Sequence, residues 1–105
     1  MPGVERRLVW SAEAEADLDR IWDYLASEAT LDAADRRLRE IGQSARRLRQ
    51  SPFLGKPRDE LAAGLRSLSV PRHVIFYRVA PTTIEVARVI DARRDIDAIF
   101  RGRRG

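Results

Sequence analysis

The chain has 105 residues, of which 44% are hydrophobic and 34% charged, with a formal net charge of +4 and no cysteine. That length predicts one domain over residues 1–105, and the composition is that of a folded chain with a heavily charged surface. The missing thiols exclude disulfides and thiolate metal sites. No apolar run approaches the ~18 residues of a membrane span, and MPGVERRLVW lacks the apolar stretch of a secretory signal, so a cytoplasmic, non-membrane protein is expected.

Arg6 to Trp10 is the first strand candidate, ended by Ser11, which suits a helix N-cap. Glu13, Glu15 and Asp17 follow in the first turns, where carboxylates favour the helix dipole. Ala14, Leu18, Ile21, Trp22 and Leu25 then recur at three- and four-residue spacing, an amphipathic helix of ~16 residues. Tyr24 lies beside that stripe and is read as packing. A second helix begins with Thr30 or Asp32 as cap. Leu31, Ala34, Leu38, Ile41, Ala45 and Leu48 form its apolar stripe, and Arg36, Arg37, Arg39, Arg46, Arg47 and Arg49 its outer face. An acidic helix followed closely by a basic one predicts an antiparallel hairpin. Gly42 allows either close helix packing or a tolerated surface glycine. Pro52 ends the helix. Ser51 to Glu60 reads as a surface connection with Phe53 and Leu54 tucked inward.

Three strands follow. Leu65 to Val70 is separated by Pro71-Arg72 from His73 to Val79, and Ala80-Pro81-Thr82 leads to Thr83 to Ile90. β-Branched runs between proline-containing turns predict a meander. Alternation sends Val74 and Phe76 to one sheet face and Ile75, Tyr77 and Val79 to the other. Ile96, Ile99 and Phe100 predict a short C-terminal helix, and Arg101 to Gly105 a frayed basic tail. The fold class expected is α+β, β-α-α-β-β-β, with the hairpin packed on a small, mainly antiparallel sheet.

The charge is uneven. Residues 1–63 carry 11 basic and 12 acidic side chains, and residues 64–105 carry 9 and 4. A basic sheet and tail point to an anionic macromolecular partner; a host that favours arginine (19, against one lysine) gives the same asymmetry. Chemistry is sparsely provided for. His73 stands alone and is read as structural, no carboxylate cluster has ligand spacing, and no phosphate loop or nucleophile elbow occurs. No cofactor, metal site or catalytic residue is assigned. A metal-free ribonuclease would need a base and an acid besides its phosphate-binding arginines, and its candidates reduce to His73, Tyr24, Tyr77 and the carboxylates.

Several short pieces, taken in order, resemble one family. They are Ser11, Ala14, Asp17, Leu18, Ile21, Trp22 and Tyr24; Ser51-Pro52, Gly55-Lys56, Arg58, Glu60-Leu61 and Gly64-Leu65-Arg66; Ile75-Phe76-Tyr77-Arg78-Val79; and Val89-Ile90 with Arg93-Arg94-Asp95. The chain is similar to the ParE branch of the RelE/ParE toxin superfamily of bacterial type II toxin–antitoxin modules. The resemblance implies a toxin neutralised by a ParD-like antitoxin encoded by the adjacent gene. It implies DNA gyrase as the target, without an enzymatic step, or alternatively ribosome-dependent cleavage of messenger RNA, or a non-toxic binding partner. Nuclease relatives keep a sheet arginine where Arg66 falls, another near Arg93 or Arg94, and a tyrosine where Phe100 stands. Asp91 falls where many ParE relatives carry a histidine. The hydroxyl missing at Phe100 favours the gyrase reading. Antitoxin and target contacts are expected at Arg66, Arg78, Arg88, Arg93 and Arg94. The alternative for these residues is pairing along the sheet edge with Glu60, Glu85, Asp91 or Asp95, worth only ~0–1 kcal/mol each. An antitoxin helix is expected in the groove beside the hairpin, with a further segment along the sheet. The two-faced second strand motivates this, unless Ile96 to Phe100 covers the second face.

Overall fold

The computed structural model describes residues 5–102. Its elements run β1 (Arg7–Trp10), α1 (Ala12–Glu28), α2 (Leu31–Arg47), β2 (Lys56–Pro57), β3 (Arg66–Val70), β4 (His73–Val79), β5 (Thr83–Asp91) and α3 (Ile96–Arg101). This is the expected order, with one addition: the two-residue strand β2 lies inside the segment read as a surface connection. Arg101 closes α3 rather than opening a frayed tail, and Arg103, Arg104 and Gly105 lie outside the described residues.

The helix starts obey their caps. Ser11 Oγ accepts from the Ala14 N–H at 3.0 Å, and Thr30, rather than Asp32, accepts from the Ala33 N–H at 3.0 Å. Each satisfies an otherwise orphaned helix N–H. The two helices pack as the expected hairpin, and Trp22 Nε1 donates across it to Asp35 Oδ1 at 2.9 Å. Gly42 plays no part in that packing. A Cβ there would meet only the Arg46 guanidinium, at 3.2 Å.

The sheet has five strands in the order β1-β5-β4-β3-β2. β1 pairs in parallel with β5, and the remaining neighbours are antiparallel. At the β3–β4 turn Pro71 presets its own φ, and Arg72 follows at φ 68°, a left-handed conformation that side chains other than glycine resist.

One irregularity organises the rest. Opposite Phe76 sits Arg88, but opposite Tyr77 sits Val86, so Ala87 is a bulge in β5. An extra residue inverts the two-residue alternation of the strand. Ile84, Val86 and then Val89 therefore face the helices, while Ala87 and Ile90 face away.

The bulk of the core lies between the hairpin and the sheet. Ala14, Ile41 and Ala45 meet Ile75, Val86 and Val89, and Leu48 meets Tyr77 and Ile84. The other sheet face carries a smaller cluster of Leu65, Val74, Phe76 and Ile90. α3 covers it with Ile96, Ile99 and Phe100, whose ring meets that of Phe76 edge-on at 5.0 Å. The second face of β4 is therefore closed by the chain itself.

Candidate functional site

α1 docks on the β5 bulge through two polar side chains. Ser11, besides capping the helix, donates from Oγ to the Ala87 carbonyl at 2.9 Å. Asp17, nearly two turns further and only 4% exposed, accepts the Val89 N–H at 2.8 Å. A bulge leaves backbone groups without ladder partners, and these two side chains satisfy them. Asp17 also takes a bidentate pair from Arg88, Nε to Oδ2 at 2.8 Å and Nη2 to Oδ1 at 2.9 Å, and a bond from Arg20 at 2.6 Å. The fork of a guanidinium matches a carboxylate in this way. The bond to Asp17 raises the Arg88 pKa, against the opposing effect of burial.

Beside this knot a cleft of about 400 Å³ opens between α1, the start of β4 and the end of β5. Ile21, Leu25, Val89 and Ile90 supply apolar lining, and Tyr24, 63% exposed, stands in its wall rather than in the core. Arg20, Arg37, Arg72, Arg88, Arg93 and Arg94 line it together with Asp17 and Asp91. Six arginines against two aspartates leave +4 with His73 neutral.

His73 is buried in the cleft wall, with Arg37 Nη1 3.4 Å from its Nδ1. Burial, and then the Arg37 charge, pushes the imidazole below its ordinary value, with Asp91 pulling the other way. Hence His73 stays neutral near pH 7. Asp91 is bound by the Arg93 side chain at 2.9 and 3.1 Å and by the Arg93 N–H at 2.8 Å. Those bonds hold its carboxyl far below the usual carboxylate range.

The five arginines singled out from sequence divide among three places. Arg88, Arg93 and Arg94 line the cleft. Arg66 lies on β3, donates to the Gly55 carbonyl at 2.6 Å and stacks over the Phe53 ring at 5.0 Å. Arg78 lies on β4 and donates to the Ala63 carbonyl at 3.3 Å. Of the edge pairings considered, only Arg93 with Asp91 forms. Arg88 reaches instead to α1, and Glu60 pairs with Arg58 at 2.7 Å.

Near Arg66 the chain is tied down by Tyr77, whose hydroxyl accepts the Gly55 N–H at 2.9 Å and donates to the Pro52 carbonyl at 2.8 Å. Phe53 and Leu54 are not tucked in; Phe53 is 65% exposed beneath the Arg66 guanidinium. The polar anchors at Gly55 and Pro52 fix this loop, so its apolar side chains are left outside.

Sequence reasoning missed the cleft and Asp17 as its anchor. The signal for Asp17 was present: it falls on the apolar stripe between Ala14, Leu18 and Ile21, where a carboxylate must find partners. Arg37 on α2 and the adjacent Arg72 and His73 at the start of β4 are brought together only by the folded structure. Among the described residues no group of His, Asp or Glu side chains is arranged to hold a metal ion. No helix among them is long and apolar enough to cross a membrane.

Comparison with known proteins gives a consistent picture. A family model described as the ParE toxin of the type II toxin–antitoxin system parDE matches residues 8–96. Toxin ParE1 of Mycobacterium tuberculosis is 38% identical over 92 residues, covering 87% of this chain and 94% of that protein. Toxin ParE1 of Caulobacter vibrioides is 35% identical over 80 residues, covering 76% and 82%. Among solved structures, the fold matches a chain of a chromosomal ParDE system from P. aeruginosa, with TM-score 0.74, 24% identity and coverage of 85% and 98%. It also matches a chain of the toxin–antitoxin complex RelBE2 from Mycobacterium tuberculosis, with TM-score 0.51, 22% identity and coverage of 87% and 95%.

Proposed function

The chain belongs to the ParE toxin family of type II toxin–antitoxin systems, and on that premise we propose that it acts on DNA gyrase as a binding poison and is neutralised by a ParD-like antitoxin. Phe100 carries this reading. By the family resemblance it falls where nuclease relatives keep a tyrosine; it offers no proton, and its ring is packed edge-on against that of Phe76. Two of the other proton-transfer candidates are committed elsewhere, and a third, Tyr24, stands exposed in a cleft that Arg66 does not line. The Tyr77 hydroxyl is held between Gly55 and Pro52, and neutral His73 is buried on a different part of the surface from Arg66. A missing acid or base typically costs ~10²–10⁴ in rate. Arg66, the retained phosphate-type cation, is itself engaged with the Gly55 carbonyl.

The deciding experiment incubates the purified chain with gyrase, supercoiled plasmid and ATP. Linear, gyrase-bound DNA should accumulate, and addition of the antitoxin should suppress it. Induced expression should give filamentous cells with a DNA-damage response. Intact plasmid together with cuts in ribosome-bound messenger RNA would replace this reading with the nuclease one.

A further inference from the structure

We propose that the arginine-lined cleft between α1 and the end of β5 seats an acidic segment of the antitoxin. In this pose one apolar side chain rests on the cleft floor and carboxylates meet Arg72 and Arg94. The antitoxin as source of that segment rests on the function proposed above; the chemistry of the seat rests on the cleft.

The charge inventory is the first observation. Arg20 and Arg88 bind Asp17, and Arg93 binds Asp91, so both aspartates of the cleft are taken. Arg37, Arg72 and Arg94 are left without a carboxylate in the cleft. The nearest acid to Arg37 is Glu40 on its own helix, 3.4 Å from Nε but not aligned to accept its hydrogen, and that Nε is buried without a hydrogen-bond partner. A buried donor left in this state costs free energy that an incoming acceptor recovers.

Arg72 is the second observation. It lines the cleft from a left-handed turn position, φ 68°, that glycine occupies without strain. Strain of this kind persists where the side chain is put to use.

The third is the floor. Ile21, Leu25 and Val89, with exposed Tyr24 beside them, offer apolar surface at the foot of a cationic rim. A duplex phosphate backbone is convex and has nothing apolar to place there. An acidic segment carrying leucine- or phenylalanine-like side chains matches both halves, and a cleft of this size accepts a few side chains.

The test is calorimetric titration of the full chain with the full-length antitoxin from the adjacent gene. Arg72→Gly combined with Arg94→Ala keeps the backbone relaxed and removes two rim charges; binding should weaken ~10- to 100-fold, as for lost charge-assisted hydrogen bonds. Tyr24→Ala should also weaken it. The charge-matched pair Arg36→Ala and Arg47→Ala, on the exposed face of α2 and outside the cleft, should leave affinity unchanged. If the unaltered chain binds tightly and the cleft variants bind equally well, the cleft assignment falls and the family reading stands. If the unaltered chain binds no antitoxin, both fall. A short oligothymidylate that displaces the antitoxin, and fails to bind the Arg72/Arg94 variant, would reassign the cleft to single-stranded nucleic acid and overturn the peptide assignment.

Discussion

Replacing Asp17 by alanine should be the most damaging single truncation of a polar side chain in this fold. The carboxylate accepts from Arg88 twice, from the Val89 N–H and from Arg20, at 2.6 to 2.9 Å, while 4% exposed. Without it, a guanidinium whose side chain is 12% exposed loses its counter-ion and the bulge loses its acceptor. Breaking one side of a buried pair costs ~3–5 kcal/mol, and an orphaned N–H ~1–3 kcal/mol. The two overlap because they share one network, so ~4 kcal/mol is expected in total. That is a large part of the ~5–15 kcal/mol typical of a domain. In urea, with a slope of ~1–3 kcal/mol per molar, the midpoint should fall by roughly 2 M. Arg88→Met should cost less, about 2–3 kcal/mol, because Asp17 keeps its Val89 and Arg20 bonds. Arg20 is 66% exposed, and its alanine variant should lose only ~0–1 kcal/mol. The ranking Asp17, Arg88, Arg20 is the content of the prediction. An Asp17→Ala loss under ~1 kcal/mol at unchanged slope, or an Arg20 variant as damaging as Arg88→Met, would refute the buried-anchor reasoning.

Gly55→Ala should destabilise by at least ~2 kcal/mol in thermal melts, since a Cβ there would overlap the Ser67 carbonyl and meet the Tyr77 hydroxyl at 2.8 Å. Gly42→Ala should instead stabilise α2, by up to ~1 kcal/mol, because only the mobile end of Arg46 must move. His73 has a folded-state pKa below its unfolded one, so its contribution is intact above about pH 6.5 and fades as pH falls through the folded value. Denaturation midpoints should drop as pH falls below about 6.5, and His73→Gln should flatten that slope. Arg93→Ala should raise the Asp91 pKa toward the ordinary carboxylate value, read by carboxyl NMR titration. The stability Asp91 contributes is present above about pH 4 and lost below it, and the variant should shrink that acid-side loss.

Local patterns made most of the architecture legible. Three-four spacing located both helices, Ser11 marked the first cap, and β-branched runs between Pro71 and Pro81 marked the meander. The parallel pairing of β1 with β5 was not readable from neighbouring residues, because it joins the two ends of the described chain. Nor was the bulge at Ala87, since Glu85 to Val89 reads as an unbroken strand until its partners are known. Tyr24 was misjudged for a related reason. It sits beside the α1 stripe, but the sheet does not extend beneath it, so the ring is left at the cleft. The sheet arginines were conspicuous as types, whereas their partners, up to 71 residues away for Arg88 and Asp17, depend on topology. A charge census finds an arginine-rich half; only tertiary placement distinguishes Arg88, already committed, from Arg94, still available.

The pairing of β1 with β5 also dictates when the molecule can assemble. Thr83 to Val86 complete the edge against which Arg7 to Trp10 lie, and Arg88 and Val89 complete the socket for Asp17. During synthesis the strand β1 and helix α1 must wait, unseated, until β5 has emerged. Contacts this distant in sequence are slow to close. The Asp17 socket and the cleft beside it are therefore absent from the nascent chain until β5 is in place.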